Sequence, residues 1–143
     1  MAGKTISQVN IKDTCIILGP NHTGYGAPFS IMTEGFWKTP LGQIEIDKEL
    51  AKAILSESHF IKEDELAHRY EHSLEVEIPF LQCLKKSCKI VPIVASTADL
   101  EIYRKVGQEI AAAIKKLGRE NDVLIVASSD MTHYESQEQA SLK

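Results

Sequence analysis

The chain has 143 residues, of which 43% are hydrophobic and 25% charged, with a formal net charge of −4 at pH 7. This size and balance suit one domain that buries roughly two thirds of its unfolded surface, and they exclude a disordered, collagenous or disulfide-stapled chain. A negative balance argues against nucleic acid as a partner and against attraction to anionic membranes, and no apolar run approaches the roughly 20 residues that cross a bilayer.

No charged-then-apolar leader pattern opens the sequence. Cys15, Cys83 and Cys88 are odd in number and match no zinc or disulfide spacing. The expectation is a cytoplasmic protein with reduced thiols.

The first structural signal in chain order is the apolar run at residues 15–18, which predicts a strand covered on both faces. It leads into "GPNHTGYG", so Asn21 and His22 stand just beyond the strand's carboxyl end. Residues 29–32 and 41–46 predict a hairpin or an edge pair around the glycines and proline of 35–42. A helix is expected from Asp47 to about Ser56. A further helix near Ser73 carries Leu74, Ile78, Leu81 and Leu84, and Pro79 must kink it or delay its start.

Residues 90–95 predict a second buried strand, although Pro92 weakens that reading. The clearest helix runs from about Leu100 to Leu117, with Tyr103, Val106, Ile110, Ile114 and Leu117 on one stripe. Thr97 or Asp99 is its expected cap, Gly118 its end, and Glu101 with Lys105 a surface pair. The third apolar run, 123–127, then follows as a parallel strand through a β-helix-β crossover. With no internal repeat or linker, the whole chain, 1–143, reads as a single α/β domain with a mixed, largely parallel sheet layered by helices.

Ligands of parallel α/β sheets bind at the carboxyl ends of strands. Two loops qualify: Asn21-His22, and "SSDMTH" after residue 127, which supplies Asp130 and His133. Between them, "EHSLE" adds Glu71, His72 and Ser73. The expectation is one cleft, with His22, His72 and His133 as metal ligands or acid-base groups and Glu71 and Asp130 as orienting carboxylates. Plainer roles stand beside these: a loop histidine is most often a surface residue, Asp130 and Ser73 can cap helices, and His59 and His68 are read as structural.

Several sharper motifs fail. Ala2-Gly3-Lys4-Thr5 lacks the first glycine and the strand of a phosphate-binding loop, Gly24 and Gly26 do not complete a dinucleotide fingerprint, and there is no G-x-S-x-G elbow. "HRYEH" at 68–72 fits the inverted zinc-peptidase pattern H-x-x-E-H, which requires unbroken helix across those five residues.

Taken together and in this order, "LGPNHTGYG", "EHSLEVEIPFLQ" and "IVASSDMTHY" resemble the Memo family, whose bacterial and archaeal members are often called AmmeMemoRadiSam system protein B. The likeness covers essentially the whole chain. It implies a fold similar to that of LigB-type class III extradiol dioxygenases, which use non-haem Fe(II), and it makes His22 a metal ligand lined by His72, Asp130 and His133. The implied cofactor is iron or copper. Family members also carry a histidine in an opening P-H-A-G-Y segment and a cysteine near the far end of the site, and neither has a counterpart here. The expectation is therefore a central part of the family domain, incomplete at both ends, with an incomplete metal site. Redox or dioxygenase-like activity is one implied function; a peptide- or protein-binding module using the same cleft is the alternative, with a radical SAM protein of the same system as an implied partner.

Overall fold

Cys15, Ile16 and Ile17 have no solvent exposure, so strand β1 (Thr14–Pro20) is covered on both faces, as its continuous apolar run requires. The computed structural model describes residues 2–130 and 132–142. Before β1 lies the short helix α1 (Ala2–Ile6), and after it come β2 (Phe29–Ile31), β3 (Phe36–Thr39), β4 (Gly42–Glu45), α2 (Lys48–Glu57) and β5 (Ile61–Glu63). The second half contains α3 (Ile78–Leu84), β6 (Lys89–Ala95), α4 (Leu100–Lys116), β7 (Val123–Ala127) and α5 (Gln137–Ser141).

Five strands form one sheet in the order β5-β2-β6-β1-β7. β1 is parallel to both β6 and β7, β2 is parallel to β5, and only β2 with β6 is antiparallel. The sheet is thus mixed and largely parallel, within an α/β fold. α2 packs on α4 and α1 on α3. Among the described residues no helix is long and apolar enough to cross a membrane.

The expected pairing of residues 29–32 with 41–46 does not form. Phe29, Ser30 and Ile31 are all buried, and β2 lies inside the main sheet between β5 and β6. β4 pairs instead with β3 around Pro40-Leu41, and this half-exposed ladder makes a separate two-stranded sheet. Gly42, at φ 116°, supplies the left-handed backbone that the tight turn needs.

Pro92 sits in a central strand at little cost. Pro92 pairs with Ile17 in the β1–β6 ladder, and along the opposite edge of β6 it falls between the lone Ile46–Ile90 bridge and the β2 ladder, which begins at Ile93. Pro79 delays its helix and does not kink it: residues 75–77 form a 3-10 turn, and α3 starts at Ile78 with the proline in its first turn. At the start of α4, Asp99 holds the cap position but makes no side-chain cap bond, and Glu101 reaches Arg104 at 3.8 Å in place of the expected Lys105.

At the sheet's opposite end, away from the β1 and β7 exits, one polar cluster is buried. Asp47 caps α2 by accepting from the Leu50 N–H at 3.1 Å, Arg119 donates to Asp47 at 2.8 Å and to the Thr14 hydroxyl at 2.9 Å, and Thr14 donates to Asp47 at 2.5 Å. These bonds tie together the start of β1, the start of α2 and the turn after α4.

Candidate metal centre

Parallel pairing of Leu18 with Ala127 brings the ends of β1 and β7 to the same edge, where the Ser128 N–H donates to the Leu18 carbonyl at 2.7 Å. The loops carrying Asn21-His22 and Asp130 therefore leave the sheet side by side. A third segment, residues 71–74, docks onto the end of β1: the Ser73 hydroxyl donates to the Pro20 carbonyl at 2.8 Å. Ser73 is an anchor between segments, not the helix cap its position allowed.

This docking depends on Gly19. A Cβ there would lie 2.7 Å from Leu74 Cδ2 and 2.8 Å from Ser73 Oγ. Gly19→Ala is expected to cost about 1–3 kcal/mol and to push the 71–74 segment off the strand end. Chemical denaturation measures the cost, and an unchanged midpoint would refute the tight approach.

Asn21 works within its own loop. Its side-chain oxygen accepts from the Thr23 hydroxyl at 3.0 Å and from the Gly24 N–H at 2.9 Å, while its amide donates to the Tyr25 carbonyl at 2.8 Å. This bonding fixes the turn from which His22 projects.

His22 is gripped by Glu71. One carboxylate oxygen accepts from the His22 backbone N–H at 2.5 Å, and the other meets the ring Nδ1 at 2.9 Å. That second oxygen also accepts from the N–H groups of His72 and Ser73, each at 2.9 Å. Burial pushes the Glu71 carboxyl up, but the bonds from His22 and Ser73 outweigh it and leave the pKa lowered to about 2. The Glu71 hydrogen bond is in turn the main cause raising the His22 pKa above its ordinary value.

Around this pair stand the other candidates. The His72 ring stacks on His22 with centroids 4.7 Å apart and planes 16° from parallel. Asp130 Oδ2 lies 3.4 Å from His22 Nε2, and His133 Nδ1 lies 3.5 Å from the same oxygen, on the exposed rim. Met131, inside the "SSDMTH" motif, lies outside the described residues.

His22, Glu71 and His72 each offer one ligand atom within 4.8 Å of the others. Glu71, however, already accepts four hydrogen bonds, so its chemistry here is to hold His22 by Nδ1 and turn Nε2, the other ring nitrogen, toward Asp130. Two imidazoles, from His22 and His72, and the Asp130 carboxylate are the donors that remain open.

The H-x-x-E-H reading fails on its helix. A 3-10 turn ends at His68, and residues 69–72 are not helical. The His68 ring is buried, pairs through Nδ1 with the Asp64 carbonyl at 3.0 Å and meets the Trp37 ring edge to face, so it has a packing role. His59 is largely exposed and bonds Glu109. The contributions that the sequence reading missed are the anchoring by Gly19 and Ser73; the only signal for them was a small residue at each side of the docking point.

Below the cluster opens an apolar cavity of about 550 Å³, bounded by Leu18, Phe29, Val106, Ile110 and Ile125, with His22 and Asp130 at its rim.

A family model described as "Memo-like protein" matches residues 1–143. A MEMO1 family protein from Sulfurisphaera tokodaii is 48% identical over 134 residues, which is 93% of this chain and 47% of the relative. Others from Archaeoglobus fulgidus (47% identical, covering 93% of this chain and 49% of the relative) and Methanopyrus kandleri (41% identical, covering 98% and 49%) are similarly placed. The chain thus spans about half the length of the curated relatives it matches.

Proposed function

The chain belongs to the family of Memo-like proteins, and from that premise we propose that His22, His72 and Asp130 hold a redox-active transition metal, iron or copper. The observation that carries this reading is the grip of Glu71 on His22 Nδ1, at 2.9 Å, which is the outer-shell arrangement that orients a ligating imidazole. Two imidazoles and a carboxylate form the donor set of non-haem Fe(II) sites, and imidazole also suits copper, so the donor chemistry fits either metal. The bound metal would supply redox or Lewis-acid chemistry. His133, 3.5 Å from Asp130 and exposed, would pass a proton between cleft and solvent.

The test is metal content of anaerobically purified protein offered Fe(II), Cu(I) or Zn(II). Stoichiometric Fe(II) or Cu(I) is expected in the parent chain. In His22→Ala, affinity should fall by more than the roughly 10–100-fold that losing an outer-shell partner costs, with the thermal melt retained. Equal uptake by the variant would sink the metal reading. Binding of a phosphotyrosine peptide by metal-free protein, abolished by substitutions in the same cleft, would favour a binding module instead.

A further inference from the structure

β7 ends the five-stranded sheet: β1 lies along one side, and among the described residues no strand lies along the other. Its sequence, VLIVA, has no charge, proline or glycine, the devices by which exposed edges are normally protected. Ile125, at its centre, is 55% exposed.

The neighbouring helix is open on the same side. α4 buries Val106, Ile110, Ala113 and Ile114, yet Leu100 and Tyr103 are exposed, and a Cβ at Gly107 would meet nothing within 4 Å. Ala111, one turn after Gly107, is exposed too. α4 therefore carries a second face of apolar and small residues, the kind of surface on which another helix can approach closely. The apolar cavity of about 550 Å³ joins the two surfaces, with Ile125 on one wall and Gly107 on the other.

We infer that the β7 edge and the α4 groove form a domain-completion interface, whose occupant is polypeptide equivalent to the part of the relatives lying outside the matched half. The match takes up only 47–49% of those proteins, so each contains about as much chain again. A strand added to the open edge and a helix laid in the groove would cover both surfaces with one unit. Family membership supports this inference, and the metal reading does not enter it.

The test places a lysine at the same position in two proteins. In this chain Ile125→Lys should leave the guanidinium denaturation midpoint within error, because the side chain already faces solvent. In the full-length Methanopyrus kandleri relative, whose match covers 98% of this chain, lysine at the residue aligned with Ile125 should lower the midpoint by roughly 0.5–1 M, the effect of burying an unpaired charge. Equal small effects in both proteins would overturn the inference. So would a stable dimer of this chain that Ile125→Lys converts to monomer, since the edge would then be occupied by a second copy.

Discussion

Glu71→Gln is expected to lower stability by ~3 kcal/mol near neutral pH, and the loss should shrink as the solution is acidified. The Glu71 side chain is 1% exposed and accepts hydrogen bonds from His22 twice and from the backbone of His72 and Ser73. Its pKa is lowered from 4.5 to about 2, a gap worth ~3 kcal/mol by linkage. Because the folded value is the lower one, this stabilisation is fully present above pH 4.5 and is lost as the pH falls through about 2. His22 contributes in the opposite sense. Its raised pKa gives stabilisation that is complete below its ordinary value of 6.5 and fades as pH rises through the folded value. Urea midpoints for parent and variant between pH 7 and pH 2 measure the gap directly, and a gap independent of pH would show that Glu71 is not held as a carboxylate. The same variant should bind Fe(II) roughly 10–100-fold more weakly, since the Glu71 carboxylate is what holds His22 by Nδ1.

The second large effect is expected at the other end of the sheet. Arg119→Ala should cost about 3 kcal/mol, because it strands a carboxylate that is 7% exposed. Burial pushes the Asp47 pKa up, but the bonds from Thr14, Leu50 and Arg119 outweigh it and the net shift is downward. Asp47 thus adds stability that is present above its ordinary value and lost in acid. Removing both charges should be much milder than the sum of the single losses, because no buried ion is then left without its partner. A double-mutant cycle of Arg119→Met and Asp47→Asn, read by chemical denaturation, checks this. Strict additivity would mean that the two side chains do not depend on each other.

How much of this could be read before the fold was known differs from element to element. β1 and β6 are legible because a strand buried on both faces must be a continuous apolar run, β7 because it carries the same kind of run although its edge position leaves it half-exposed, and α4 because its stripe of Val106, Ile110 and Ile114 recurs at helical spacing. Asp47 is legible as a cap because capping is a contact between residues three apart. β5, with the sequence IKE, and β3, with FWKT, are too short and too polar to show a period. The partners of β2 were misread because three buried residues carry no record of which strands lie beside them.

The candidate site divides along the same line. By itself the sequence determined that His22, Glu71, His72 and Asp130 stand at the ends of apolar elements, since element ends follow from local composition. Only the tertiary structure decided that Glu71 bonds His22 across 49 residues, that Asp130 meets the same ring across 108, and that Gly19 makes room for Ser73. Those contacts depend on which strands are neighbours and on how closely a loop approaches them, and both are set by burying the whole core at once.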